Sequence, residues 1–185
     1  MQNRSNFQGT VFVTGFMASG KSTFGKHLAE KLDVEFLDLD EVIVEKEGKS
    51  INEIFNSAGE KYFRRKEREY LLNLAGDFTG VLALGGGSLQ DQKVIDELKS
   101  RGILLFIEVP IQLSVERVLE SVERPVLFDK EGKLKPKQAL FDELKTLYSH
   151  RVKFYKQAQV SIEAQAFSNT DAMAEAAIEK INQYV

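Results

Sequence analysis

The segment Gly15-Phe-Met-Ala-Ser-Gly20-Lys21-Ser22 places two glycines, a lysine and a hydroxyl in the spacing G-x-x-x-x-G-K-[ST]. Glycines let a backbone turn tightly enough for successive N–H groups to converge on one anion. The lysine adds a point charge, and the hydroxyl offers an oxygen to a divalent cation. In front, Thr10-Val-Phe-Val-Thr14 reads as a short apolar strand. Behind, Lys21–Leu32 reads as a helix with Phe24, Leu28 and Leu32 one turn apart. That order aims the positive end of a helix at the loop. Gly15, Ala18, Ser19, Gly20, Lys21, Ser22 and Thr23 are therefore expected to hold the phosphates of a nucleoside triphosphate, with Ser22 on Mg2+. Alanine tolerates positive φ poorly, so Ala18 is expected to be near-normal in backbone shape or slightly strained.

Two carboxylates follow, Asp38 and Asp40 in Glu35-Phe-Leu-Asp-Leu-Asp40. Read as extended chain, residues two apart face the same side, so both carboxylates are expected on the side of Phe36. They fall at the C-terminal end of a second strand, where open α/β sheets bind ligands. One would orient the water shell of Mg2+ and the other would accept a hydrogen bond from an attacking hydroxyl. The plainer alternative is a solvated turn with Asp40 capping a helix at 41. A third strand, Val81–Leu84, ends in Gly85-Gly86-Gly87 and carries no acid at its tip. Glycines there allow close approach of a ligand to backbone N–H groups, which a plain turn would not require. No N/T-K-x-D guanine motif exists, and Asp77-Phe-Thr-Gly80 precedes the third strand, so it reads as a turn.

The elements that must position these groups are short apolar strands alternating with helices. Helices are expected at 41–47, 51–75 (broken by Gly48 and Gly59), 91–100, 111–121, 137–157 and 171–183, and further strands at Ile103–Val109 and Gln159–Ile162. Such alternation implies a parallel sheet covered on both faces. Glu123 to Lys137 is polar, with Pro125, Gly132, Pro136, four lysines and Arg124, and reads as a mobile surface loop. The 185 residues suit a single domain, 1–185, with an ordinary globular composition of 43% hydrophobic and 29% charged residues. The chain lacks cysteine, which excludes a disulfide scaffold, a thiolate metal site and a cysteine nucleophile. His27 and His150 are its two histidines, and no role is assigned to either. A formal charge of −3 disfavours nucleic-acid binding. No apolar run is long enough for a membrane span and the first residues carry no apolar leader, so a cytoplasmic protein, a monomer by default, is expected.

Taken in order, GFMASGKST, FLDLD, SINEIFNSAGEKYFRRKE, LALGGG, Arg124-Pro125-Val-Leu and Arg151 with Tyr155 resemble the shikimate kinase family over nearly the whole chain. Gluconate kinases share the first motif. Two positions depart from the pattern: Ala18, often glycine, and Lys153, where a proline often stands. Neither removes a chemical group.

The resemblance implies a three-layer P-loop kinase fold with five parallel strands in the order 2-3-1-4-5, a substrate-binding region at about 38–66 and a lid at about 123–137. It implies phosphoryl transfer from MgATP to the 3-hydroxyl of shikimate, a step of chorismate and aromatic amino acid biosynthesis. Lys21, Asp40 and Arg124 are then the catalytic residues. Arg64 and Arg151 hold the shikimate carboxylate with Gly85, Gly86 and Gly87, while Phe55 and Phe63 form apolar walls, and Arg117 stacks on adenine. From charge alone Arg64 lies on a solvated helix face and Arg117 is a surface charge. Glu67, one turn beyond Arg64, could hold its guanidinium. Arg151 falls on the stripe Phe141, Leu144, Tyr148, Arg151 and Tyr155, either snorkelling outward or facing an anion. Alternatives are a gluconate-type or other hydroxy-acid kinase, or a nucleotide-binding regulatory module.

Overall fold

In the computed structural model, which describes residues 8–120, 127 and 133–184, strand β1 (Thr10–Thr14) is buried at all five positions. It lies at the centre of a five-stranded sheet with β2 (Phe36–Asp38), β3 (Gly80–Ala83), β4 (Gly102–Glu108) and β5 (Val160–Glu163), in the order β2-β3-β1-β4-β5. Every neighbouring pair is parallel. The helices are α1 (Lys21–Leu32), α2 (Leu39–Glu47), α3 (Ile51–Asp77), α4 (Gln92–Arg101), α5 (Ile111–Glu120), α6 (Lys137–Tyr155) and α7 (Thr170–Ile181).

The period-two alternation of strands divides the core into two layers. Phe12, Leu82, Leu104 and Phe106 face one side, where Leu39, Ile43, Ile54, Phe63, Leu71, Leu98, Val118, Leu144 and Tyr155 pack from α2 to α6. Val11, Val13, Val81, Leu105 and Ile107 face the other, against Phe24 and Leu28 of α1 and Met173, Ala174 and Ile181 of α7. A parallel sheet buried on both faces reads as the near-continuous apolar runs seen in the sequence.

Three expectations are corrected. Strand β2 is shorter than the expected Glu35–Leu39, because Asp38 caps α2 by accepting a hydrogen bond from the Asp40 N–H at 2.9 Å. The cap is thus Asp38 and not Asp40, and Asp40 sits in the first helical turn rather than in extended chain. Leu127, inside the expected polar loop, is 3% exposed and belongs to the core, and its carbonyl accepts from the Lys135 N–H at 2.8 Å. Arg124 and Pro125 lie outside the described residues. The breaks at the two glycines occur as expected: Gly48 caps α2, and Gly59 bends α3 with φ 81° and ψ 168°. Ser50 and Glu53 open α3 with reciprocal caps. Asp77 ends α3 and Gly80 begins β3, so the segment between them is the expected turn. Among the described residues no helix is long and apolar enough to cross a membrane.

One contact sets where the acid at the end of β2 lies. Helix α1 meets β2 through Gly25, where an added Cβ would stand 2.6 Å from the Phe36 ring. Gly25→Val is expected to lower stability by about 1–3 kcal/mol through overpacking, read by chemical denaturation. An unchanged midpoint would show that Phe36 has free space to move.

Candidate active site

Because the strands are parallel, the turns that leave the C-terminal ends of β1, β2 and β3 share one edge of the sheet. They carry the glycine-lysine loop, the Asp38–Asp40 turn and the triple glycine, and they line a cleft of about 670 Å³. Helix α1 begins at Lys21, so its first N–H groups face that cleft. Gly20 and Ala18 are both left-handed, with φ 87° and 56°. Ala18 is therefore strained beyond the mild departure expected of it; left-handed backbone is unfavourable for a residue with a Cβ. Lys21 Nζ donates to the Phe16 carbonyl at 2.9 Å, folding the lysine back over the loop.

Ser22 Oγ donates to Asp38 Oδ2 at 2.5 Å. Hydroxyl and carboxylate oxygens form a donor pair of the hard type that Mg2+ takes, and the cleft beside them leaves room for its waters, so these residues fit a magnesium site.

Asp40 lies deeper. Burial, with the negative charges of Asp38 and Glu67 nearby, pushes its carboxyl up to about 6, while Lys21 and Arg64 pull it the other way. The helical turn thus preserves what the extended reading required: two acids directed at one site. Both acids line the same cleft.

Two guanidiniums from distant parts of the chain lie beyond that cleft. Arg64, whose charge acts on Asp40, lines a neighbouring cavity of about 480 Å³ with Glu67, Gly87 and Ser88. Arg151 lies near enough to Arg64 to feel its charge. Arg64 Nη1 donates to Glu67 Oε2 at 2.7 Å, which is the buttress expected from their spacing. Glu67 is 3% exposed, and its other oxygen accepts from Ser88 Oγ at 2.7 Å. Arg151 is 8% exposed on a helix face otherwise committed to the core, so it faces inward rather than snorkelling. Its pKa is lowered, foremost by burial and also by Arg64, against the pull of Tyr155 and Glu67. Both arginines keep a buried Nε without a hydrogen-bond partner among the described residues, although Glu60 Oε1 comes within 3.5 Å of Arg64. Orphaned buried donors of like charge are an anion-binding arrangement.

The glycines supply the close approach. A Cβ on Gly85 would lie 2.5 Å from Glu67 Oε1 and 3.2 Å from Asp40 Oδ1, and one on Gly87 would lie 2.7 Å from Arg64 Nη1. Phe55 and Phe63 meet with centroids 4.7 Å apart; Phe63 is core and Phe55 is half-buried. Arg117 is exposed at the cleft rim, where Nη1 donates to the Ala18 carbonyl at 3.0 Å. Sequence reasoning missed Ser88 and the far wall of the cleft, made by Ala164, Phe167, Asn169, Thr170 and Met173. The sequence signal for that wall is weak: Asn169 before an apolar run, which caps α7. His27 faces Asp171 at 3.2 Å on the outside of α1, and His150 is exposed.

A raised carboxyl carries a stability cost with a definite sign. Folded Asp40 holds its proton to about pH 6, whereas an unfolded Asp releases it near pH 4. The folded state binds the extra proton between those values, so stability falls as pH rises through that window. Asp40→Asn is expected to raise the midpoint of unfolding at pH 7.5, by up to about 3 kcal/mol, and to change it little at pH 4. Equal effects at both pH values would show that the buried charge is not the cause.

A model of the shikimate kinase family matches residues 17–182. A shikimate kinase of Aquifex aeolicus (strain VF5) is 37% identical over 155 residues, 84% of this chain and 86% of that protein. The solved structure of a shikimate kinase from Acinetobacter baumannii in complex with shikimate superimposes with a TM-score of 0.83 at 31% identity, covering 95% of this chain and 94% of that one. A gluconokinase from Sinorhizobium meliloti 1021 superimposes with a TM-score of 0.59 at 17% identity, covering 97% and 95%, which is a likeness of fold alone. With the parallel order β2-β3-β1-β4-β5 and the phosphate loop in place, the chain belongs to the shikimate kinase family.

Proposed function

We propose that this chain, acting as a single-domain cytoplasmic monomer, transfers the γ-phosphoryl group of ATP to the 3-hydroxyl of shikimate, giving shikimate 3-phosphate and ADP. The observation that carries the reading is the pair Arg64 and Arg151, two guanidiniums close enough to perturb each other across a site that also holds Asp40. A planar carboxylate offers two oxygens to such a fork, and a lysine pair would hold it less well.

The loop N–H groups of residues 15–23 and Lys21 hold the β- and γ-phosphates. Ser22 and Asp38 would hold a magnesium ion, which would supply positive charge against those phosphates. Arg64 and Arg151, with the backbone of Gly85–Gly87, fix the acid at the far end, and Phe55 and Phe63 wall the ring. Fixed at that end, the acceptor presents its hydroxyl to Asp40, which positions it or takes its proton. The hydroxyl oxygen bonds to the γ-phosphorus as the bond to the β–γ bridging oxygen breaks, and ADP leaves. A carboxyl with a pKa of about 6 is ionised, and so able to accept that proton, over the neutral range. Arg124 supplies charge to the transferred group, Arg117 covers the base, and residues 123–137 exclude water.

ADP release with MgATP is the direct assay, comparing shikimate, gluconate, a nucleoside monophosphate and no acceptor. Release that depends on shikimate alone is expected; release with another acceptor would overturn the assignment of Arg64 and Arg151, and none with any acceptor would favour a regulatory module. In the same assay Asp40→Asn is expected to lower kcat at least 100-fold with nucleotide affinity within twofold. Turnover surviving within about tenfold, or 1.4 kcal/mol, would remove Asp40 from the chemistry.

A further inference from the structure

Tyr155, the last residue of α6, is 1% exposed, and its ring stacks on Phe106 with centroids 5.4 Å apart at 26°. A phenylalanine would fill that space with no polar group to satisfy, so packing alone does not account for the hydroxyl. The hydroxyl donates to the carbonyl oxygen of Gly86, 69 residues away in the chain. Burial pushes the phenol up to about 12, so it keeps its proton and remains a donor throughout the neutral range.

The partner it has chosen decides the consequence. The Gly86–Gly87 peptide is trans, and across a trans peptide the carbonyl and the following N–H point in opposite directions. With the Gly86 carbonyl held on Tyr155, the Gly87 N–H points away from the Tyr155 hydroxyl and is left free of that bond. Gly87 itself abuts the Arg64 guanidinium, at 2.7 Å from where its Cβ would stand. Arg151 lies one turn before Tyr155 on the same face of α6, and Tyr155 and Arg64 both perturb it. One hydroxyl therefore joins the helix that carries Arg151 to the loop that stands against Arg64. Without it, a glycine peptide has almost no steric preference of its own and can rotate.

We propose that Tyr155 is a positioning residue for the acceptor's carboxylate: its hydroxyl holds the Gly86–Gly87 peptide and the Arg151 helix in one register, so that the Gly87 N–H and both guanidiniums meet the acid together. The proposal rests on the reading of the acceptor as shikimate. It predicts that the loss on removing the hydroxyl is confined to recognition of the acid group.

The test is steady-state kinetics of the full chain with MgATP, using shikimate and its neutral methyl ester as acceptors, alongside thermal unfolding. Tyr155→Phe is expected to raise KM for shikimate about tenfold, with kcat within threefold and KM for ATP within twofold. Its preference for the acid over the ester falls by about the same tenfold. Phe106→Leu, which loosens the seat of the ring but keeps the hydroxyl, is expected to show the same selective loss at about threefold, and it carries the test if Tyr155→Phe does not fold. An acid-over-ester preference equal to wild type in a folded variant, or equal losses with both acceptors, would overturn the proposal and leave Tyr155 a packing residue. No turnover of shikimate by the wild-type chain would instead overturn the functional reading on which it rests.

Discussion

Two positive charges held in one half-buried site repel each other, and most of the architecture around the cleft answers that repulsion. Arg64 comes from α3 and Arg151 from α6, elements that meet the sheet from separate stretches of chain. Neither burial nor like charge favours the pair, so something negative must lie between or beside them. Glu67 supplies part of it permanently, being buried, bonded to Arg64 and steadied by Ser88. Glu60, 3.5 Å from the Arg64 Nε, adds to it from the exposed side. Of the two, Arg151 is the more buried and its Nε has no hydrogen-bond partner among the described residues, whereas Arg64 is partly exposed and its Nε also lies 3.5 Å from Glu60.

The acids on the other side of the cleft are arranged by the same economy. Asp38 serves three neighbours at once: it ends β2, caps α2 and accepts from Ser22 of the phosphate loop. Asp40, two residues further in the first turn of α2, is left with burial and two negative neighbours, which is why its proton is held to about pH 6. Capping thus separates the roles of two residues that look equivalent in the sequence. The acid that is well bonded suits a fixed structural or metal-facing position, and the acid that is poorly solvated suits proton transfer. Strain at Ala18 and the left-handed Gly20 belong to the same pattern, in which the site carries local costs that the two apolar layers of the core offset.

Much of this was legible beforehand, residue by residue. The phosphate loop announces itself because four residues of three types at fixed spacing are needed to wrap one anion, and the neighbouring strand and helix are set by local periodicity. Glu67 could be paired with Arg64 because three residues along a helix is a fixed distance. The extended reading of Asp38 and Asp40 failed for a local reason too: a capping carboxylate started the helix two residues earlier than apolar periodicity suggested. Leu127 was hidden because the short apolar run Val126-Leu127-Phe128 stands between Pro125 and a charged stretch and is too brief to show a period.

What the sequence determined alone, then, were the groups and their local frames: the anion-binding loop, the two acids, the glycine run, and the alternation that demands a parallel sheet. Only the tertiary structure decided the encounters between elements far apart in the chain. Arg151 comes near enough to Arg64 to feel its charge, Tyr155 reaches the Gly86 carbonyl, Ser88 supports Glu67, and Ala164 to Met173 line the cleft. The physical reason is that local sequence fixes dihedral angles and periodicity, whereas distance between separate elements is set by how the two faces of the sheet pack, a collective property no short segment carries.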